Sequence, residues 1–340
     1  MEHIEETTTI FPIHRLNQRI TEKLAKIVSA DIPGNLNKGL SNQIRLTDDG
    51  VSMTELAMIT KLPLTGETFV TMSAAFMQYV WLLNDIALKS IDLSIIQDAC
   101  RDFGVDYKDY PKITAMIASM PIEELAKKFD FPPNVDVKHY LNYIRQTMPL
   151  QDPVSYERQI SYETSLLKRL RSRGETFTEA DFTQVNLDGQ YEGLVNGVYC
   201  YSIAFAMLHE LSHFELGHLD KVVEEMEDER NADLNAFWSV FCNLQGNELF
   251  TAIVGVLCLL FALLMINPTM AEDNVHPRED IRILEIYDNV KDDNPKYTVL
   301  LVRLFKLWAA SNGVTDFPQV QDDSIGSLRL IREFLNNKVF

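Results

Sequence analysis

The sequence predicts a mainly α-helical fold, with an α+β variant left open by one short stretch. Three features carry this reading: the apolar stretch Phe69–Leu88, the amphipathic stretch Tyr156–Arg173, and a helical pattern dominating from about Leu194 to the C-terminus. Strand-like alternation is confined to Glu175–Val195.

Taken in order, the first 60 residues are mixed, with turn signals at Asp31-Ile32-Pro33-Gly34-Asn35 and Thr47-Asp48-Asp49-Gly50. Phe69–Leu88, rich in Met and aromatics, reads as one buried helix, because such stripes are most often core. Shorter helices are expected over Ile91–Phe103, Pro121–Phe129 and His139–Thr147, punctuated by Pro132-Pro133 and Gln151-Asp152-Pro153. Tyr156–Arg173 has a basic end and stops at Gly174. Between Glu175 and Val195, Phe177, Phe182, Val185 and Leu187 alternate with polar residues, so a small sheet before residue 195 is expected there. Asn196–Leu216 and Lys221–Phe237 read as helices. The organisation expected is a helical region over 1–150 and a second region over 151–340, or one domain spanning both.

With 340 residues, 46% hydrophobic and 24% charged, the chain has an ordinary globular balance and can bury a sizeable core. A net charge of −18 argues against nucleic-acid binding, which needs clustered Lys and Arg. Cys100, Cys200, Cys242 and Cys258 are widely spaced, so reduced core thiols are expected rather than disulfides or a cysteine zinc site. Met1-Glu2-His3-Ile4-Glu5-Glu6 lacks the basic and apolar regions of a signal peptide, so a cytoplasmic location is expected.

The chemistry centres on His209-Glu210-Leu211-Ser212-His213. Residues four apart on a helix lie about 40° apart around its axis, so both imidazoles can address one ion. Neutral imidazole suits Zn²⁺, and Glu210 beside the pair can act as general base towards water. A catalytic zinc needs a third protein ligand. A metzincin arrangement would need Gly at 216 and His at 219, and both positions are Leu. His218 lies nine residues after His209, facing away if the helix persists, and Gly217 is expected to end that helix. Glu229 and Asp233 are four apart on the next helix, so Glu229 can bind the metal and Asp233 can accept the outer N–H of a ligating His. Glu225 and Asp233 compete as third ligands, and the six acidic residues between 224 and 233 also fit a solvated face. Downstream, His276 can donate to the negative charge developing on a carbonyl oxygen and Arg282 can hold the loop or the carboxylates, or Pro277 simply opens a helix.

HELSHFELGH (209–218), ERNAD (229–233) and HPREDIR (276–282) together resemble the cytosolic relatives of the HExxH/ExxxD metallopeptidases. The HPxxxxR element resembles that of HtpX-type and CAAX-processing peptidases, whose transmembrane helices have no clear equivalents here. Ser73–Leu88 followed by an HExxH region in a chain of this size resembles the Lit-type phage-exclusion peptidases, bacterial enzymes that cleave the translation factor EF-Tu. ImmA/IrrE-type peptidases share HExxH and a following acidic helix but are generally shorter. The resemblance implies a zincin-like core, Zn²⁺ as cofactor, and a protein substrate, EF-Tu first among candidates.

Leu249–Ile266 carries no charge for 18 residues, the length at which a membrane-spanning helix becomes a candidate. If it crossed a bilayer once, His276 would lie on the side opposite His209, Glu210 and His213. A helix apolar all round also suits the centre of a soluble domain, which is the reading preferred here. The function expected is therefore a zinc endopeptidase with His209, His213 and Glu229 on the metal. A non-enzymatic metal-site domain and a membrane-embedded processing peptidase are its rivals.

Overall fold

The computed structural model of the protein describes residues 57–61, 68–102, 106–110, 153–173, 189–218, 225–267, 276–290, 295–320 and 325–337, with isolated residues elsewhere. The fold is mainly α. Strands β1 (Ala57–Lys61) and β2 (Thr68–Met72) pair antiparallel, with Ala57 opposite Met72 and Lys61 opposite Thr68. Helices follow: α1 (Ala74–Asp102), α2 (Pro153–Arg173), α3 (Gly189–Glu215), α4 (Met226–Phe241), α5 (Gly246–Ile266), α6 (Glu279–Asn289), α7 (Pro295–Asn312) and α8 (Ile325–Asn337).

Several boundaries differ from expectation. Phe69–Met72, expected at the start of a helix, is strand, because Phe69-Val70-Thr71 carries the aromatic and β-branched side chains that suit a pleated surface. Helix α1 starts one residue after Ser73, whose hydroxyl accepts the Phe76 N–H at 3.4 Å as an N-cap, and it runs unbroken through the separate helix expected at Ile91. Helix α3 begins at Gly189, so residues 189–195 are helical rather than strand. The small sheet lies instead at β1–β2. The alternating residues Phe177, Phe182, Val185 and Leu187, the helices expected over Pro121–Phe129 and His139–Thr147, and the two early turns lie outside the described residues, isolated positions aside.

The backbone clusters into two units, Met1–Asp85 with Ser165–Phe340, and Ile86–Thr164. Within the smaller unit Lys89 and Glu163 form a fully buried ion pair. The larger unit holds every element from α3 onward.

At its centre is the uncharged stretch. Helix α5 packs against α3, α4, α6 and α7, and every residue from Ala252 to Ala262 is buried. Leu257, Leu260 and Phe261 are fully enclosed, each contributing roughly 1.5–3 kcal/mol by leaving water. It is the one described helix long and apolar enough to cross a membrane, and most of its apolar stretch is buried against other helices.

Gly255 sets the distance between α5 and α3. A Cβ there would lie 2.6 Å from Val198 O and 3.0 Å from Ser202 N, both backbone atoms of α3. The closeness lets Ser202 Oγ donate to Gly255 O at 2.7 Å. Ser202 also takes the Asn84 side-chain amide at 3.1 Å, and Trp81 Nε1 donates to Asn196 Oδ1 at 2.8 Å, so the first turns of α1, within the larger unit, are pinned to the same helix. Alanine at 255 gains about 0.5–1 kcal/mol of helix propensity but forces two backbones apart. Gly255→Ala is expected to lose a net ~1–3 kcal/mol, read as a lower denaturant midpoint. An unchanged midpoint would contradict the close α3–α5 crossing.

Candidate metal centre

Helix α3 carries His209 and His213 one turn apart near its C-terminal end, where the helix dipole favours basic groups. It ends at Glu215, and Gly217, whose φ of +75° lies in the left-handed region that side chains disfavour, turns the chain back. Helix α4 then returns along α3. Its first turn holds Glu227, Asp228 and Glu229, acidic residues placed where the helix N-terminus is positive. Glu227 is exposed while Asp228 and Glu229 are buried, so the acidic run has an inner face as well as a solvated one. Asn235 fixes the register of the two helices, its amide donating to Ser212 Oγ at 3.0 Å and Glu215 Oε2 at 3.1 Å.

The crossing brings three donors to one point. His209 Nε2 is 3.4 Å from Glu229 Oε2, and His213 Nε2 is 3.2 Å from Glu229 Oε1. The two Nε2 atoms are 3.2 Å apart. All three side chains are buried, with ligand atoms within 4.8 Å of one another, so they could hold a metal ion. Glu225 is exposed at the N-cap of α4 and is not in this group.

Asp233, one turn after Glu229, is buried beside His209, with Oδ1 2.9 Å from Nδ1. The distance suits a hydrogen bond, although the N–H is not well aligned on that oxygen. Arg282 on α6 grips Asp233 with two bonds, Nε to Oδ2 at 2.7 Å and Nη2 to Oδ1 at 2.8 Å. Arg278 donates to both oxygens of Asp280 and to Leu335 O at 3.0 Å, tying the start of α6 to α8. Glu210 follows His209 along α3 and is half-buried. His276 is exposed just before α6, outside the buried cluster, so the donor role read for it rests on sequence register alone.

The electrostatics favour positive charge at the cluster. Burial pulls the His209 imidazolium down, but the side chains of Asp233 and Glu229 outweigh it and raise its pKa to about 10. Burial pushes the Glu229 carboxyl up, yet the two histidines hold it well below the usual range. Asp233 is likewise pushed up by burial and brought down to about 2, chiefly by Arg282. Two imidazoles and a carboxylate meeting in a buried site are a donor set that fits a divalent metal.

His218 and Asp228 join the site without having been assigned to it from the sequence. His218 Nδ1 is 3.1 Å from His213 Nδ1, and its Nε2 is 3.3 Å from Asp228 Oδ1. Asp228 also accepts the Lys221 ammonium, which holds its carboxyl below the usual range, and its Oδ2 accepts the Glu225 N–H at 3.2 Å. The signals were the Gly217 helix stop and the acidic first turn of α4.

Residues 151–300 match the family model described as Peptidase U49, a span that contains every residue of this cluster and Arg282. The match covers less than half of the 340-residue chain and supports a peptidase, a hydrolase of peptide bonds. No curated protein and no solved structure matches the chain.

Proposed function

We propose that the protein is a zinc-dependent endopeptidase. The observation that carries this is the convergence of His209, His213 and Glu229, supported by the peptidase match over the same residues. Two neutral imidazoles and one carboxylate suit Zn²⁺, and three protein ligands leave a position open, as a catalytic site requires. When bound, zinc would act as a Lewis acid, polarising the scissile carbonyl and making water acidic near neutral pH.

The chain's own residues do the rest. Glu210 takes a proton from the attacking water as its oxygen bonds to the carbonyl carbon. The same carboxyl then delivers that proton to the leaving amine nitrogen as the C–N bond breaks. Asp233, held by Arg282, keeps the His209 ring turned so that Nε2 faces the metal position.

The substrate proposed from the sequence resemblance is EF-Tu, met in the cytoplasm. A membrane-embedded processing peptidase is the second reading, favoured by the length and apolarity of α5. The packing of α5 on four other helices supports the cytosolic one. Cleavage mapping across the proteome of cells producing either the wild-type chain or Glu210→Gln tests the reading. One abundant protein cut only by the wild type is expected, and identical proteomes would remove the peptidase assignment.

A further inference from the structure

His213 is held from both sides of its ring. Nε2 faces Glu229 across the metal position, and Nδ1 faces Nδ1 of His218. His218 is itself buried, at 4% exposure, and its other nitrogen meets the buried carboxylate of Asp228. Asp228 is in turn fixed by Lys221 and by the backbone N–H of Glu225.

The protons in this chain can be counted. An ionised carboxylate only accepts, so the His218 nitrogen facing Asp228, Nε2, carries the hydrogen. A neutral imidazole has one N–H, so Nδ1 of His218 is left as a bare lone pair. Two ring nitrogens 3.1 Å apart need one hydrogen between them, and it can come only from His213 Nδ1. With zinc bound, Nε2 of His213 would give its lone pair to the metal, leaving Nδ1 as the nitrogen that carries the hydrogen. Without zinc, Nε2 lies 3.2 Å from the Glu229 carboxylate and can carry a hydrogen as well, so the relay is read at Nδ1.

We propose that His218 and Asp228 form a positioning relay that fixes His213 as its Nδ1–H tautomer and presents Nε2 to the metal. The relay serves His213 as Asp233 serves His209, and it rests on the metal-centre reading above. A ligand histidine ordinarily donates its outer N–H to a carboxylate, carbonyl or water. Here the acceptor is a second histidine, which extends the reach to a carboxylate on the next helix. The left-handed turn at Gly217 allows this, because it folds the chain back immediately after α3 and brings the residue five positions after His213 onto the same ring.

The test uses the full-length chain with ¹⁵N-labelled histidine. Long-range ¹H–¹⁵N correlation reads whether His213 Nδ1 carries a hydrogen shared with His218, in zinc-free and zinc-loaded protein, and chelator competition reads zinc affinity separately. His218→Phe keeps the ring and removes both nitrogens. It is expected to weaken zinc binding roughly 10–100-fold and to abolish the hydrogen bond at His213 Nδ1. His218→Asn, which restores an acceptor near the Nδ1 position, is expected to recover most of that affinity. Asp228→Asn is the second variant should the phenylalanine disturb folding, and a several-fold weakening with a weaker hydrogen bond at His213 Nδ1 is expected of it. Wild-type affinity and an unchanged His213 Nδ1–H signal in His218→Phe would overturn the relay, as would a zinc-dependent shift showing His218 directly on the metal. A wild-type chain that binds no zinc would defeat the metal centre, while the Nδ1–H···Nδ1 hydrogen bond between His213 and His218 in the zinc-free protein still decides the relay.

Discussion

Glu210→Gln is expected to keep the fold and one zinc per chain while losing roughly 10²–10⁴-fold or more in peptide-bond hydrolysis. The metal position is built by His209, His213 and Glu229, and Glu210 is not among those converging atoms. Glutamine is nearly isosteric, so the helix and the buried cluster beside it are left in place. What disappears is the only role given to Glu210, accepting a proton from water and releasing it to the amine. Zinc content, helical circular dichroism and turnover on the mapped substrate separate these effects. Full turnover in a zinc-loaded Glu210→Gln would show that another group carries the proton.

The second large effect is expected at Arg282. Its guanidinium and the Asp233 carboxylate are both buried and joined by two bonds of 2.7 and 2.8 Å. Arg282→Leu leaves the Asp233 charge enclosed with only the partly aligned His209 ring beside it. Removing one partner of a buried pair typically costs about 3–5 kcal/mol, since the remaining charge keeps its desolvation penalty. Arg282→Lys keeps the charge but loses the planar fork, so a smaller loss is expected. Because Asp233 also bears on His209, zinc affinity should fall by roughly 10–100-fold in Arg282→Leu. Urea unfolding of the zinc-free chain and chelator competition measure the two effects independently. A stability change under about 1 kcal/mol would contradict a buried, energetically coupled pair.

How much of this was legible in the sequence follows from the range of each interaction. His209 and His213 lie one helical turn apart, so their shared face is a local property and was read from spacing alone. Glu229 with Asp233 is equally local as a pair, whereas the HPxxxxR register leaves Arg282 free to hold either the loop or the carboxylates, and only the α4–α6 packing selects Asp233. The meeting of α3 and α4 depends on the reversal at Gly217, whose helix-ending role was visible although its consequence for His218 was not. Spacing along a continuing helix turns His218 away from His209, and its contact with His213 appears only once the left-handed turn is in place. Asp228 was one acid in a run that also fitted a solvated face, and only burial separates it from Glu227. Phe69–Met72 was read into a helix because its apolar content matches both structures, and the Ser73 cap that divides strand from helix is a single side-chain bond. Gly255 gave no sequence signal beyond its place in an apolar run, since its importance lies in the α3 backbone opposite it.

The central claim, that two histidines of α3 and one glutamate of α4 hold a catalytic zinc, is tested most directly by metal analysis of the purified full-length chain. One zinc per wild-type chain is expected, with stoichiometric binding lost in His209→Ala, His213→Ala and Glu229→Ala and kept in Glu225→Ala. A folded wild-type chain that takes up no zinc when zinc is supplied, or a Glu229→Ala chain that binds it as tightly as wild type, would contradict the claim.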